Sequence, residues 1–367
     1  MLELTAQEKD AIREKVGDRM VIASVSGGKD STAMCLHLRD LGIPYEAVFM
    51  DTGWETEGTY HFIDEVLPKY IGPVKHIGYN HTFDDEREAI AKEFEERMGH
   101  PSPMIRLVLR KGMFPSRVRR FCTEQLKVYP MRDYLKTRND EPINTVGVRA
   151  QESVARSQLS EWEWNDTFDC DVWRPLIRWS EADVIDIHKR HGVPPNPLYL
   201  KGAARVGCWP CIFARKKEIR QISEMTPERV ELLADLEKAV EVLAKKRYAA
   251  KGETFESLGY HAPTWFQNPT SSPDPVTGKR AGDTWPIHKV VEWSRTKRGG
   301  KSEEPFAPLP HEAGCFRWGM CDTSWRQDKV EELPDVFEMF EDVSPEEQKW
   351  RDEMESYMGG EAERCED

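Results

Sequence analysis

Apolar and polar positions along the first 150 residues follow strand-like and helix-like periods in turn. Short apolar runs rich in β-branched residues predict buried strands at 21–25, 45–50, 74–78 and 143–148. Amphipathic segments predict helices at 3–16, 57–69, 84–98 and 124–136. Strands that alternate with helices indicate an α/β fold with a doubly wound parallel sheet and helices on both faces. In such folds the ligand lies at the carboxyl ends of the strands.

The pattern changes after residue 220. Thr226-Pro227-Glu228 predicts the start of a long helix over 226–250, with cations gathered near its C-terminal end. Residues 263–283 are rich in Pro, Ser, Thr and Gly, which is typical of an irregular loop. A cysteine-containing segment follows at 311–326, and then an acidic tail. We therefore expect an α/β domain over 1–220 and a mostly helical or irregular extension over 221–367.

The first predicted strand runs directly into a glycine turn with the sequence Ser-Gly-Gly-Lys-Asp-Ser at residues 26–31. A strand, a glycine turn and a helix start gather backbone N–H groups around an anion. Gly27 and Gly28 let a phosphate approach the main chain closely. Lys29 can add a point charge, Asp30 can hold Mg²⁺, and Ser31 can cap the helix. The spacing differs from the Walker type, and the turn predicts a nucleotide site of another kind.

Composition and charge narrow the possible functions. The chain has 367 residues and a formal net charge of -13, which argues against general charge-driven binding of nucleic acid but leaves room for a local basic strip. No apolar run is as long as a membrane span requires, so we expect a cytoplasmic protein with no membrane partner. Eight cysteines without a secretory pattern indicate metal binding rather than disulfides. The 12 tryptophans are expected to serve packing.

Two arginine-containing segments leave alternatives open. Residues 106–120 carry six cations, which suit either a solvated face or a contact with an anionic substrate. In the second segment, Arg149 and Arg156 follow a predicted strand end, together with Ser153. Arginine presents a fork of donors that suits phosphate or sulfate oxygens. This second segment is weak evidence when it is considered alone.

Several motifs in one order resemble the PAPS reductase family, the CysH-like branch of the PP-loop (N-type ATP pyrophosphatase, adenine nucleotide alpha-hydrolase-like) superfamily. The motifs are residues 26–31, Asp51-Thr52-Gly53, residues 120–127, Gly147-Val148-Arg149 with Ser153 and Arg156, and Asn196-Pro197-Leu198-Tyr199 before Gly207-Cys208-Trp209-Pro210-Cys211. Together they span roughly residues 15 to 220. The resemblance implies the predicted α/β fold.

The resemblance also implies roles for individual residues. Ser26, Gly27, Gly28, Lys29, Asp30 and Ser31 would bind the phosphate or sulfonucleotide anion, and Asp51 with Thr52 would lie near the adenosine. Gly147, Arg149 and Arg156 would face the anionic end, with Lys127 a weaker candidate. Lys29, Asp30 and Arg149 are the expected catalytic residues. A cationic loop lined with N–H groups stabilises charge that builds on phosphate oxygens.

The family's reactions use adenine nucleotides in two ways. In one, a thiol attacks the sulfur of adenylyl sulfate (APS) or its 3′-phosphorylated form (PAPS), and thioredoxin supplies electrons. In the other, ATP, with Mg²⁺ as a possible cofactor, activates an acceptor that a sulfur donor such as a cysteine desulfurase then thiolates. The acceptor could be a nucleic acid, as in the similar DndC-type sulfurtransferases. A homodimer is compatible with either reading.

The cysteine pattern predicts a metal centre. Cys208 and Cys211 supply two thiolates from one tight loop, and four thiolates suit either a [4Fe–4S] cluster or zinc. The resemblance adds Cys122 as a ligand, makes Cys315 or Cys321 the fourth, and favours iron over zinc. Cluster-bearing APS reductases usually show adjacent cysteines where this chain has Phe121-Cys122. Cys35 and Cys170 suit a structural role.

The resemblance leaves three functions open. The chain lacks the C-terminal Glu-Cys-Gly-[Leu/Ile]-His motif of assimilatory reductases, and its Cys365 lies between acids that disfavour a thiolate. This favours a PP-loop enzyme of sulfur transfer or adenylation over an APS or PAPS reductase that releases sulfite. The third alternative is a non-catalytic nucleotide-binding accessory protein of a mobile-element or defence locus.

Overall fold

The computed structural model describes residues 4–117, 119–138, 141–258, 261–267 and 284–296. Its main feature is a six-stranded sheet in the order β3-β2-β1-β4-β6-β5, in which β5 alone runs antiparallel to its neighbour. A separate two-stranded ribbon joins β7 and β8. The strands are β1 Val21–Val25, β2 Tyr45–Met50, β3 Val74–Ile77, β4 Ile143–Val146, β5 Trp162–Asn165, β6 Cys170–Trp173, β7 Phe266–Gln267 and β8 Thr284–Trp285.

Helices cover both faces of the sheet, so the predicted mainly parallel α/β fold is confirmed. The longest of the described helices, Pro227–Ala249 (α13), packs against Glu86–Met98 (α5) and Pro103–Lys111 (α6). The helices are α1 Ala6–Val16, α2 Lys29–Asp40, α3 Glu57–His61, α4 Pro68–Ile71, α5 Glu86–Met98, α6 Pro103–Lys111, α7 Phe121–Thr123, α8 Tyr129–Lys136, α9 Val154–Ser157, α10 Glu181–His191, α11 Pro197–Leu200, α12 Lys216–Met225, α13 Pro227–Ala249, α14 Phe255–Leu258 and α15 Ile287–Ser294.

The four strands predicted from apolar runs are neighbours in the sheet, with β3 at its edge. β1 is buried along its length and pairs in parallel with β2 and β4, with Val25 opposite Phe49 and Ser24 opposite Val146. The carboxyl ends of these three strands therefore meet at one edge. β5 and β6 were not predicted, because their sequences mix tryptophan or valine with polar residues.

Two predicted helices are interrupted by wider turns. The segment predicted as 57–69 consists of α3, a π-helical turn at Phe62–Val66 and α4. The segment predicted as 124–136 has a π-helical turn at Glu124–Val128 before α8. Amphipathic periodicity locates such helical segments. It does not reveal a π-helical turn, because the one extra residue in that turn shifts the apolar face by less than a full helical turn.

The predicted helix 226–250 is confirmed as α13, and it shares a core with the α/β part of the chain. Trp54, Leu107 and Leu236 belong to the same cluster of buried side chains, so the core extends across the predicted boundary at residue 220. Most of the predicted loop 263–283 and the whole segment 311–326 lie outside the described residues. No helix in the described ranges is long and apolar enough to cross a bilayer.

A buried carboxylate fastens the last described segments to α13. Glu237 accepts hydrogen bonds from the Trp265 N–H at 2.9 Å and from the Ile287 N–H at 3.1 Å. Trp265 in turn stacks on Trp54, with ring centres 5.1 Å apart. Burial raises the pKa of Glu237 to about 7, although the two backbone N–H groups oppose that shift. The tryptophans here serve packing, as expected.

Candidate functional site

The turn between β1 and α2 is short, and its Gly27 and Gly28 are buried. β1 ends at Val25 and α2 begins at Lys29, with Gly28 as an N-cap that has no side-chain hydrogen bond. The first N–H groups of a helix have no partner within the helix, so this turn can bind an anion. The prediction that Ser31 caps the helix is wrong, because α2 starts two residues earlier. The Ser31 hydroxyl instead donates to the Gly28 carbonyl at 3.0 Å and accepts from the Ser26 N–H at 3.1 Å.

Two buried cations flank the start of α2. The Lys29 Nζ lies 3.4 Å from Asp30 Oδ2 and 3.3 Å from Glu181 Oε1, and Lys29 is only 7% exposed. Arg149, which follows β4, is 5% exposed and donates from Nε to Asp30 Oδ1. The structure therefore brings the three predicted catalytic residues into one network. Because Glu181 is partly exposed, a phosphate oxygen can take its place beside Lys29.

Gly147 allows the end of β4 to lie against the start of α2. A Cβ atom at this position would lie 2.7 Å from the Asp30 carbonyl oxygen and 2.9 Å from the Ser31 Cα. Both are backbone atoms, which cannot rotate away as a side chain can. Gly147 therefore sets the distance between Arg149 and the phosphate loop.

In the Asp-Thr-Gly turn after β2, the Asp51 side chain is partly exposed and the Thr52 side chain is buried. Asp51 accepts hydrogen bonds from the Gly53 N–H and the Tyr60 hydroxyl, both at 2.8 Å, and contacts His76. Burial alone would raise the pKa of Asp51, but the hydrogen bonds from His76, Gly53 and Tyr60 outweigh it and hold that pKa below its ordinary value. The Thr52 hydroxyl is buried and donates to Glu55. Its side chain is therefore engaged within the protein.

Asp51 also lines a cleft of about 530 Å³. Tyr60, His76 and His100 share this lining. The face of α3 on the other side packs against the phosphate loop, since a Cβ atom on Gly27 would lie 3.3 Å from Thr59. The cleft and the phosphate loop thus lie on different faces of the same helix.

The segment 196–211 packs against both strand ends. Asn196 donates to the Gly27 carbonyl at 3.2 Å, and the Tyr199 hydroxyl accepts from the Lys29 N–H at the same distance. Further on, the Trp209 N–H donates to the Trp54 carbonyl at 2.8 Å. These bonds place the cysteine loop against the turn after β2, next to the phosphate loop after β1.

Three predicted ligands lie close to one another around Lys127. The Cys208 Sγ donates to Glu55 Oε1 at 3.7 Å. Burial raises the pKa of Cys208 to about 12, although the Lys127 ammonium lowers it. Burial also raises the pKa of Cys122. The pKa of Lys127 is raised, chiefly by Cys208 and further by Glu55, Cys211 and Cys122, against the effect of burial.

The chemistry of these donors suits a thiophilic metal or an iron–sulfur cluster. Within the described ranges, however, no three His, Cys, Asp or Glu side chains converge closely enough to hold a single ion. Cys315, Cys321 and Cys365 lie outside the described residues. Cys35 and Cys170 are buried within the core, as expected for structural cysteines.

Arg156 and the cations of the basic segment 106–120 differ in their exposure and in their ion-pair partners. Arg156 lies on the short helix α9, is half-exposed and pairs with Glu152. Arg106 is buried and pairs with Glu88 at 2.8 Å and Glu95 at 2.7 Å, so it stabilises the packing of α6 against α5. The arginines at the end of the segment are exposed.

Sequence reasoning missed several partners of the predicted residues. Glu55 holds Thr52 and Cys208, Glu181 pairs with Lys29, and Tyr199 reaches the main chain of the phosphate loop. Tyr199 belongs to the motif Asn196-Pro197-Leu198-Tyr199, and the resemblance implied no role for this residue.

The chain is similar to known proteins. A family model described as the phosphoadenosine phosphosulfate reductase domain matches residues 20–214, which is more than half of the chain. The chain belongs to this family. The resemblance seen in the motifs is therefore confirmed, and family membership indicates an enzyme in the broad sense.

The relatives of this chain include an uncharacterized phage protein and named reductases. An uncharacterized 37.8 kDa protein of Escherichia phage 186 is 33% identical over 325 residues, which cover 80% of this chain and 93% of the phage protein. The adenosine 5'-phosphosulfate reductase of Allochromatium vinosum is 27% identical over 54% of this chain and 69% of its own length. A solved phosphoadenylyl-sulfate reductase of Candida auris, in complex with phosphate, has 16% identity and a TM-score of 0.38, and covers 57% of this chain and 98% of that one.

Proposed function

We propose that this family member is an enzyme that binds an adenine nucleotide, ATP or a sulfonucleotide, at the turn after β1 and uses it for sulfur transfer or adenylation. The observation that carries the proposal is the closeness of two groups. The cysteine loop is hydrogen-bonded to the turn after β2, and β2 is the neighbour of β1, whose end forms the phosphate loop. A nucleotide and a thiol-bound group would therefore meet at one edge of the sheet.

Each residue of the network has a role in this proposal. The N–H groups at the start of α2 hold phosphate oxygens, and Lys29 neutralises charge that develops on the leaving group. Arg149 orients Asp30 and offers its remaining N–H donors to the anion. With ATP as the nucleotide, Asp30 would also hold Mg²⁺. Attack of an acceptor oxygen or nitrogen on the α-phosphorus would release pyrophosphate and leave the acceptor adenylylated.

We also propose that Cys122, Cys208 and Cys211 hold a [4Fe–4S] cluster, with Cys315 or Cys321 as the fourth ligand and zinc as the alternative metal. The proximity of the three thiols to Lys127 supports this assignment. A cluster several atoms wide spaces its ligands farther apart than a single ion does, so the proposal does not require the single-ion arrangement that is absent from the described residues. When bound, such a cluster would supply a redox-active group beside the nucleotide.

A sulfite-releasing reductase is the second candidate, because the relatives include named APS reductases. In that reaction a thiol attacks the sulfur of APS, AMP leaves, and a second thiol such as that of thioredoxin releases sulfite and forms a disulfide. Cys365 is then the candidate nucleophile. Incubation of anaerobically purified protein with APS or PAPS and thioredoxin distinguishes the two functions. Sulfite supports the reductase, and its absence from protein that binds nucleotide supports sulfur transfer driven by ATP.

A further inference from the structure

The end of the basic segment 106–120 forms an exposed cationic surface beside the cysteine loop. Arg117, Arg119 and Arg120 are exposed, and Arg120 stands two residues before Cys122. In the part of the chain that the structure describes, none of these three arginines pairs with a carboxylate. They contrast with Arg106, which is buried between two glutamates. Their charge is therefore directed to the solvent rather than to the fold.

Aromatic rings alternate with these cations. The guanidinium carbons of Arg117 and Arg120 each lie 5.9 Å from the centre of the Phe213 ring. The Lys216 Nζ lies 5.3 Å from the Trp293 ring, which is 39% exposed. Phe213 and Lys216 are three residues apart in the chain, and α12 packs against α15, so the two sets of contacts lie near each other. We call this region the arginine–aromatic surface and define it by Arg117, Arg119, Arg120, Phe213, Arg215, Lys216 and Trp293.

A local cluster of cations is notable in a chain whose formal net charge is -13. A Debye length of about 8 Å at physiological salt lets a close partner respond to the local cluster rather than to distant acids. An acidic protein partner would need only ion pairs with the arginines, and the aromatic rings would add nothing to its binding. Rings interleaved with cations instead fit a partner that offers both phosphates and flat bases, which is how single strands are bound. A duplex keeps its bases stacked inside and leaves such rings without partners.

We propose that the arginine–aromatic surface binds single-stranded nucleic acid. The backbone phosphates lie along Arg117, Arg119, Arg120 and Arg215, and bases stack on Phe213 and Trp293. The bound strand passes the cysteine loop, because the Phe213 N–H donates to the Cys211 Sγ at 3.5 Å. That the strand is the acceptor of sulfur rests on the proposed function, whereas its binding does not.

The test is fluorescence anisotropy with labelled single strands of about 20 nucleotides, DNA and RNA, over about 50 to 200 mM salt. The wild-type full-length chain should bind, and its affinity should fall as salt rises. The double variant Arg119→Glu/Arg120→Glu should lose at least about tenfold in affinity, and the salt dependence should become shallower by about one phosphate contact per arginine. Phe213→Ala should lose about 5-fold to 100-fold.

The control variant Lys238→Glu/Lys245→Glu makes the same charge change on exposed positions of α13 and should bind as the wild type does. Asp30→Ala should also bind the strand normally, so that failure of the nucleotide proposal is seen separately. Circular dichroism of each variant checks that it is folded. Absence of binding, binding that both charge-reversal variants weaken equally, or equal binding of poly-glutamate with no effect of Phe213→Ala would overturn the proposal.

Discussion

Gly147→Ala tests how the end of β4 positions the phosphate loop. The new Cβ would lie 2.7 Å from the Asp30 carbonyl oxygen, where ordinary contact begins at 3.4 Å. The start of α2 and the end of β4 must therefore separate by about 0.7 Å, at a cost of about 1–3 kcal/mol in unfolding free energy. A displacement of that size in the nucleotide cradle should weaken nucleotide binding by about tenfold to 100-fold.

The assay is calorimetric titration with ATP, APS and PAPS, together with thermal unfolding of each variant. Gly99→Ala is the matched control, because Gly99 ends α5 with a positive φ of 74° and its Cβ would have no neighbour within 4 Å. This control should lose about 1 kcal/mol of stability and keep its nucleotide affinity. If Gly147→Ala binds nucleotide as tightly as Gly99→Ala does, the close packing of β4 on α2 does not shape the site.

Three further outcomes are expected. Lys29→Ala should keep the fold and lose nucleotide turnover, measured by chromatography of AMP and pyrophosphate, whereas full activity would refute the assignment of the loop. Cys208→Ser should remove the brown colour and iron of anaerobically purified protein while Cys170→Ser keeps them, and a colourless wild type with stoichiometric zinc would contradict the iron assignment. Because the folded pKa of Glu237 lies above its unfolded value, its contribution to stability should fall as pH rises from about 4.5 through about 7. Glu237→Gln should flatten that part of the stability curve, and an unchanged slope in chemical denaturation would argue against the raised pKa.

The sequence predicted the centre of the fold because apolar and β-branched residues dominate β1, β2 and β4. β1, β2 and β4 each have buried residues on both faces, which explains why apolar residues recur along them without strict alternation. The antiparallel edge strand β5 carries exposed Trp164 and polar neighbours, and it left no such trace. The π-helical turns were also invisible, since they change hydrogen bonding without changing composition.

The site was predictable where a residue acts through its type and spacing. Gly27, Gly28, Lys29 and Asp30 are contiguous, and one turn of backbone brings them together. The pairing of Asp30 with Arg149 depends on the order of strands in the sheet, which the motif alone does not specify. The partners Glu55 and Glu181 come from other turns of the fold, and ordinary acidic residues give no local signal.

The proposed function depends most on the binding and use of an adenine nucleotide at the phosphate loop. The most direct measurement is equilibrium binding of labelled ATP, APS and PAPS to the anaerobically purified full chain and to Lys29→Ala, followed by identification of the products. We expect at least one nucleotide to bind and to yield AMP, and we expect Lys29→Ala to lose both properties while remaining folded. Failure of all three nucleotides to bind the folded wild type, or equal binding and turnover by Lys29→Ala, would contradict the account.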